Sequence, residues 1–209
     1  MIKNEKIMKK MILTALVAVA SLAANAQVWV GGEVGFSATK ASFDGNKEGA
    51  AARFNFLPEI GYTLNDKFDI ALTIGLSHAN SNGDYYEGSQ KFDVIGGNLE
   101  DVNRNAFTIN PYVRYKFAKT GDFTFFVDGG FSYTMIHYSN TSLATYDDNA
   151  NQWALGFKPG ISYSLTDKVS LVAHVGDLGY AFYKWGDQKS NTFDMGISNN
   201  ISFGAYVSF

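Results

Sequence analysis

The alternation of apolar and polar residues constrains this chain more than any other feature of its sequence. Eight segments place an apolar residue at every second position over roughly ten residues, the length of a strand that crosses a bilayer at a tilt. In residues 123–135, for example, the apolar Phe123 and Phe125 lie at odd positions, and the polar Thr124 and Asp128 lie at even positions. Because successive side chains of a β-strand point to opposite faces, this period predicts strands with one apolar and one polar face.

Three stretches of the chain resemble one another, and each contains one of the three prolines of the protein. A tyrosine follows each proline by four residues, and a leucine or phenylalanine follows it by six. A short polar stretch and a new apolar alternation come next, which indicates a strand, a tight turn and a second strand. We therefore expect short turns at 65–67, 119–122 and 166–168.

Four longer polar gaps separate the remaining segments. They lie at 40–51, 79–105, 139–151 and 181–193, and we expect them to form long loops on the side opposite the short turns. The prolines themselves fall inside predicted strands, where each removes a hydrogen-bond donor from the sheet. They are expected to mark three equivalent bulges or bends.

The apolar faces are continuous, whereas the other faces are polar, charged or glycine, which favours a barrel that is apolar outside and polar inside. A closed sheet also pairs every backbone amide within the membrane. The predicted fold is an all-β, eight-stranded antiparallel up-and-down transmembrane β-barrel over residues 27–209. A periplasmic aromatic girdle is expected at Tyr62, Tyr115, Tyr163 and Phe209, together with Phe68, Phe117 and Phe123. The outer girdle is expected at Trp153, Phe54, Phe107 and Tyr138.

The first 26 residues have the pattern of a signal peptide. Two lysines precede an apolar run of signal length, and the run ends in a small-x-small site that predicts cleavage after Ala26. The mature chain would begin at Gln27, with both of its termini in the periplasm. It keeps 13 basic and 19 acidic residues, and the formal net charge of −6 argues against nucleic acid as a partner, which would require a basic stripe. The chain contains no cysteine, which excludes a lipoprotein anchor and disulfides.

Taken together, these features resemble the porin-family outer-membrane β-barrel proteins of the OmpX/OmpA type. The resemblance rests on the signal peptide ending Ala-Gln, the repeated Pro-x-x-x-Tyr-x-apolar unit, the eight alternating segments and the terminal Phe209. It implies an integral protein of the bacterial outer membrane, in contact with lipid and lipopolysaccharide. It also implies recognition of the C-terminal strand by the outer-membrane assembly machinery. The family includes structural anchors, adhesins, small pores and a few lipid-modifying enzymes.

Five charged residues are predicted to face the lumen in one layer. They are Glu33, Glu59, Arg114, Asp128 and Lys158, and His174 is in phase to join them. Because an eight-stranded barrel is just wide enough for side chains to fill it, these charges must pair. Arg114 and Asp128 are expected to be neighbours, with Lys158 on the far side of Asp128. Glu33 and Glu59 are expected to find partners in Arg114 and Lys158.

This layer has two functional interpretations, a structural plug or a narrow gated pore for ions or small solutes. An enzymatic role is the weakest hypothesis, since Ser77 and His78 are adjacent and adjacent strand residues point to opposite faces. The three histidines show no metal-ligand spacing, so we predict no catalytic, metal or cofactor site.

The loops are the remaining candidates for function. Residues 81–105 are acidic with interleaved aromatics, and they include the candidate binding residues Asp84, Tyr85, Tyr86, Glu87 and Phe92. Rigid scaffolds commonly carry function on loops. The predicted function is therefore a structural or surface-interaction protein whose loops meet an extracellular ligand, with a narrow pore as the alternative.

Overall fold

A computed structural model describes residues 27–43, 46–83, 102–139 and 149–209, and it confirms the predicted fold class. Eight antiparallel strands form one closed barrel in chain order, and the last strand returns to pair with the first. The strands are β1 (Val28–Phe43), β2 (Asn46–Thr63), β3 (Phe68–Gly83), β4 (Val102–Thr120), β5 (Phe123–Ser139), β6 (Asn149–Ser164), β7 (Val169–Trp185) and β8 (Gln188–Ser208). Among the described residues, no helix is long and apolar enough to cross a membrane.

The two faces of the barrel wall follow the predicted alternation. On β5, Phe123, Phe131 and Met135 are exposed on the outer surface, whereas Phe126 and Asp128 are buried in the lumen. Among the described side chains, each of the eight strands contributes exposed apolar residues to the outer surface, and the lumen holds most of the buried polar ones. The alternation was therefore a reliable guide to the face on which each side chain lies.

Three tight turns join strands at one end of the barrel, which we call the turn end. Asn65 builds the first of them, because its side-chain oxygen accepts bonds from the amides of Lys67 (2.9 Å) and Phe68 (3.0 Å). The Thr166 hydroxyl does the same for the third turn. In the second turn Gly121 has a φ of +57°, a conformation that costs other residues more than glycine. Both ends of the described chain also lie at the turn end.

At the opposite end, which we call the loop end, two of the four predicted long loops are wrong. The strands on either side of 40–51 run on to Phe43 and resume at Asn46. In place of a loop at 181–193, β7 continues to Trp185 and β8 begins at Gln188, across a two-residue turn in which Gly186 has a φ of +57°. The strands also extend into the other two predicted loops, up to residues 83 and 139 and from 102 and 149. Residues 84–101 and 140–148 lie outside the described part of the chain.

The three prolines are not equivalent bulges as predicted. Pro159 coincides with a shift of register between β6 and β7. Pro58 and Pro111 instead lie at gaps in a ladder whose register is the same on both sides, between β2 and β3 and between β4 and β5 respectively. Because proline lacks an N–H donor, a strand accommodates it either by a bulge or by omitting one hydrogen-bonded pair from the ladder.

The β1–β8 ladder that closes the barrel is short. In the described strands, these two pair from Trp29 with Ser208 to Glu33 with Gly204, which makes five pairs. Small residues allow a close approach there, since a side chain at Gly31 would overlap Tyr206 and one at Gly204 would overlap the backbone of Gly32. Every other neighbouring pair of strands is joined along most of its length.

Candidate functional site in the barrel lumen

A bidentate ion pair lies buried in the lumen on the turn half of the barrel. Arg114 on β4 and Asp128 on β5 are direct cross-strand partners. The Arg114 Nε donates to Asp128 Oδ1 and its terminal nitrogen donates to Oδ2, both at 2.7 Å. This fork-to-fork geometry is the strongest form of the Arg–carboxylate interaction.

His174 on β7 joins this pair to the first strand. Its Nδ1 lies 2.5 Å from Glu33 Oε1, and its Nε2 lies 2.9 Å from Asp128 Oδ2. A histidine donates from both ring nitrogens in its protonated, positively charged form. We call Glu33, Arg114, Asp128 and His174 the lumen cluster; its four side chains come from β1, β4, β5 and β7 and therefore cross the lumen.

Four aromatic side chains surround the Arg114 guanidinium, and we call them the aromatic shell: Trp29, Tyr112, Phe126 and Tyr206. The guanidinium carbon lies 3.9 Å from the centre of the Phe126 ring and 5.1 to 5.7 Å from the other three. All four rings are buried, and they form a single packed group with Val172. Arg114 is therefore held by cation–π contacts in addition to its carboxylate partner.

Glu33 and Glu59, which were expected to pair with Arg114 and Lys158, do not bind Arg114. Glu59 accepts hydrogen bonds from the hydroxyls of Tyr112 and Tyr206, both at 2.7 Å, and from Thr73 at 3.3 Å. Glu33 binds His174 and lies within electrostatic reach of Lys158. The prediction that Arg114 would pair with these acids is wrong, because two nitrogens of its guanidinium already donate to Asp128.

Lys158 and one further ion pair complete the charges at this level. Lys158 is the direct cross-strand partner of Asp128 on β6, as its predicted position on the far side of Asp128 requires. Closer to the turn end, Lys116 Nζ lies 2.8 Å from Asp69 Oδ1. Asp69 is also the cross-strand partner of Arg114, so it extends the charged layer to β3.

A polar chamber of about 190 Å³ begins at the lumen cluster and extends toward the loop end. Glu33, Glu59, Asp128, Lys158 and His174 line it on the turn side. Hydroxyl and amide side chains line the rest, namely Asn55, Ser77, Thr108, Asn110, Ser132 and Thr134. The chamber has room because the wall there carries glycines at positions 75, 130 and 156.

An apolar group, which we call the loop-end cluster, fills part of the lumen beyond the chamber. Its buried members are Ala106, Ile136, Tyr138, Ala150, Tyr183 and Trp185. Tyr138 was expected in the outer girdle, and this prediction is wrong, since its ring is buried in the lumen 5.1 Å from that of Trp185. It is in phase with Phe126 and Asp128 and not with the outward-facing residues of β5.

The residues predicted for the periplasmic aromatic girdle all lie on the outer surface at the turn end. Tyr62, Tyr115, Tyr163 and Phe209 are each between 37% and 38% exposed, and rings of neighbouring strands contact one another. Tyr62 also donates to the side chain of Gln27. The candidate binding residues Asp84, Tyr85, Tyr86, Glu87 and Phe92 and the signal segment 1–26 lie outside the described residues.

The two residues considered for an enzymatic role, Ser77 and His78, lie on opposite faces of the barrel wall. Ser77 points into the lumen and donates to Asn55 at 2.7 Å, whereas His78 is exposed on the outer surface next to Asn105. Within the described ranges, no group of three or more His, Asp or Glu side chains is arranged to hold a metal ion.

Aromatic residues at polar-phase positions of the strands are the sequence signal for the aromatic shell. Phe126 breaks the pattern of β5, since it is an apolar residue at a position in phase with polar ones. Tyr112 and Tyr206 occupy polar-phase positions in the same way on β4 and β8. A large aromatic in the polar phase of a barrel strand therefore indicates a ring inside the lumen.

Comparison with known proteins agrees with this architecture. The sequence matches the outer-membrane-protein β-barrel domain family over residues 11–209. The chain belongs to this family. It is therefore an integral protein of the bacterial outer membrane. No match was found among curated protein sequences.

Solved structures with the same fold are distant in sequence. The outer membrane protein OprG of Pseudomonas aeruginosa is 15% identical, with a TM-score of 0.50, and the match covers 88% of this chain and 96% of that one. The Neisserial surface protein A is 18% identical, with a TM-score of 0.44, over 87% and 97% of the two chains. Ail, the attachment invasion locus protein of Yersinia pestis, is 12% identical, with a TM-score of 0.41, over 88% and 97%. At these identities the comparison concerns the fold alone.

Proposed function

We propose that this protein is a non-conducting outer-membrane barrel that acts through the connections at its loop end. Its lumen is a structural plug, and its role is structural or in binding at the cell surface. The turn end faces the periplasm, since short turns belong on that side in such barrels. Both mature termini then lie in the periplasm, and the loop end faces outward.

The observation that carries this proposal is the lumen cluster inside its aromatic shell. Four charged side chains and four rings from five strands meet in the turn half of the lumen, and the rings of Phe126 and Tyr206 lie against the guanidinium of Arg114. Trp29, Phe126 and Tyr206 are each 5% exposed or less, which leaves little room for water or ions to pass between them. An ion crossing this level would have to separate buried charge pairs, which is costly.

The partners that we propose follow from this orientation of the barrel, with the loop end facing outward. The apolar outer surface contacts lipid, and the loop end contacts lipopolysaccharide and an extracellular ligand bound by the connections there. The C-terminal strand, which ends in Phe203, Ala205, Val207 and Phe209 on the outer face, is the segment that the assembly machinery reads. No catalytic activity is proposed.

A narrow pore is the second candidate, and the polar chamber favours it. The chamber shows that part of the lumen has space between charged side chains. A pore would require this space to continue through the aromatic shell to the turn end.

Single-channel recording in planar bilayers tests the proposal. We expect the refolded protein to give no reproducible conductance steps. A double variant, Arg114→Ala with Phe126→Ala, removes the two side chains that fill the centre of the turn half and serves as the control that an opened lumen is detectable. Reproducible steps from the unmodified protein would overturn the plug and establish the pore.

A further inference from the structure

The charges at the level of the polar chamber balance one another. They belong to the lumen cluster, Glu59 and Lys158. Because a carboxylate only accepts hydrogen bonds, both ring nitrogens of His174 must donate, so its ring is positively charged. Three positive groups therefore accompany three carboxylates. The other buried charged residues do not line the chamber; they are Arg53, Asp69, Arg104 and Asp177.

Among the described residues, no cation binds the carboxylate of Glu59 directly. Its hydrogen bonds come from the hydroxyls of Thr73, Tyr112 and Tyr206, and the described ion pairs of the lumen do not include it. Oε2 accepts two of these bonds, whereas Oε1 accepts only the one from Thr73, at 3.3 Å. A carboxylate has about four acceptor sites. Oε1 can therefore accept a further, charged donor from the chamber.

Lys158 lies on the opposite wall of the chamber. Its strand, β6, is four strands away from β2 in the ring of eight, and both Glu59 and Lys158 line the chamber. A lysine ammonium has three donors, so it can bind an acceptor in the chamber in addition to its protein partners. The chamber thus offers an acceptor for a positive group on one wall and a donor for a negative group on the other.

The space between these walls suits a small and polar molecule. Its volume of about 190 Å³ is below the range of pockets for drug-sized ligands, about 300–1,000 Å³. Asn55, Ser77 and Asn110 add amide and hydroxyl groups to the lining. Because the aromatic shell closes the lumen on the turn side, we expect a ligand to enter from the loop end.

We propose that the chamber binds a small zwitterion, a molecule with one ammonium and one carboxylate group. The ammonium donates to Glu59, and the carboxylate accepts from Lys158. A zwitterion has no net charge and preserves the balance of the lumen, whereas a simple cation or anion would leave one buried charge in excess, which is costly. Its two charges also match the signs of the two walls. This site goes beyond the proposed function, because it lies inside the lumen and not at the connections of the loop end.

Titration of the refolded protein in a nonionic detergent tests the site, since no zwitterionic lipid head group is then present. The probes are glycine, β-alanine, γ-aminobutyrate and 6-aminohexanoate, which separate the same two charges by increasing lengths. Nuclear magnetic resonance follows the backbone amides of Gly75, Gly130 and Gly156, which line the chamber, and Gly121 in the second turn is the control. We expect saturable shifts at the chamber glycines, with one probe length preferred, and none at Gly121.

Two single variants separate the two halves of the site. Glu59→Gln leaves one positive charge in excess, so we expect the Kd for the zwitterion to rise at least tenfold and acetate alone to bind. Lys158→Met should weaken the zwitterion equally and favour methylammonium. The double variant is neutral again, so it should fold and bind none of these probes. Lys119→Met, at the exposed second turn, is the matched control and should bind the zwitterion as the unmodified protein does.

Three results would overturn the site. One is the absence of saturable shifts with every zwitterion. Another is an equal response of the unmodified protein to a mixture of acetate and methylammonium, because the two charges would then not be read together. The third is zwitterion binding by the folded double variant. None of these measurements depends on conductance, so failure of this site and failure of the plug are distinguishable.

Discussion

At the scale of single residues, the lumen cluster shows how a narrow barrel tolerates charge. Arg114 contacts Asp128 through two hydrogen bonds, and the second carboxylate oxygen also binds His174. Each charge therefore depends on another that is equally buried. Losing one member leaves the others without compensation, which is more costly than never having had the pair.

Asp128→Ala should destabilise the barrel strongly, by about 3–5 kcal/mol, because it leaves both Arg114 and His174 buried beside a missing carboxylate. The measurement is the urea midpoint for unfolding of the refolded protein in lipid vesicles. Asp66→Ala, in an exposed turn, is the matched control and should leave the midpoint unchanged. If the two variants unfold alike, the cluster contributes nothing to stability.

Gly61 carries a second prediction at this scale. A side-chain carbon at this position would lie 2.1 Å from the Trp29 ring, so Gly61→Ala must displace a ring of the aromatic shell. Overpacking of this kind costs about 1–3 kcal/mol. Gly35→Ala is the control, since its nearest neighbour would be 3.4 Å away in the Asn55 side chain. Equal midpoints for the two variants in the same urea assay would show that Trp29 moves aside without cost.

At the scale of the elements, the strands are longer than a membrane requires. They run from 16 to 21 residues, whereas about 9–11 suffice to cross a bilayer. We expect the extra length to lie beyond the membrane at the loop end, where the outer face need not be apolar. The β7–β8 hairpin is one such extension, with Lys184 and Lys189 paired across its tip.

The hairpin should resist trypsin even though both lysines are exposed. A protease must pull several residues out of their ladder before it can cut, and these strands are paired up to the two-residue turn. Mass spectrometry of digests should show no early cleavage after Lys184 or Lys189 in the folded protein, with rapid cleavage after heat unfolding. Early cleavage in the folded protein would instead support the long loop at 181–193 that the sequence predicts.

At the scale of the whole molecule, the turn end and the loop end should be distinguishable from outside the cell. The chain has no cysteine, so Asp66→Cys and Asp187→Cys report on the two ends separately. We expect an impermeant maleimide to label Asp187→Cys on intact cells and to label Asp66→Cys only after the outer membrane is disrupted. The reverse result would invert the orientation.

The mature N-terminus gives a further prediction at this scale. Cleavage after Ala26 should leave Gln27, in free or cyclised form, as the first residue of the protein extracted from outer membranes. Intact-mass measurement checks it. A mass that includes the apolar segment would mean that the segment remains as an anchor.

The alternation predicted the face of the charged residues but not which residues meet across the lumen. Period-two alternation reports only the side of the wall, and it placed Glu33, Arg114, Asp128 and Lys158 inside the barrel as the structure does. Contacts between distant strands depend on the stagger of the sheet and on side-chain reach. The bonds from Glu59 to Tyr206 and from His174 to Glu33 therefore could not be derived from the alternation.

The loop predictions were wrong for a different physical reason. Polar residues with glycine, as in 181–193, are typical of loops in a protein whose strands lie wholly in contact with lipid. Beyond the membrane a strand can be polar on both faces, so composition no longer separates strand from loop. Gly186 followed by Asp187 was the usable signal, since such a pair favours a tight hairpin turn.

The short β1–β8 ladder also has a consequence for how the barrel forms. Every other pair of neighbouring strands is close in sequence, so seven hairpins can assemble by local contacts. The last ladder joins β1 to β8, which lie far apart in sequence. Only the five residue pairs described in this ladder offset the entropic cost of bringing these strands together. Closure should be the final and slowest event of folding. Under mechanical force, the same five residue pairs should separate first. The barrel would then open into a curved sheet whose hairpins are still intact.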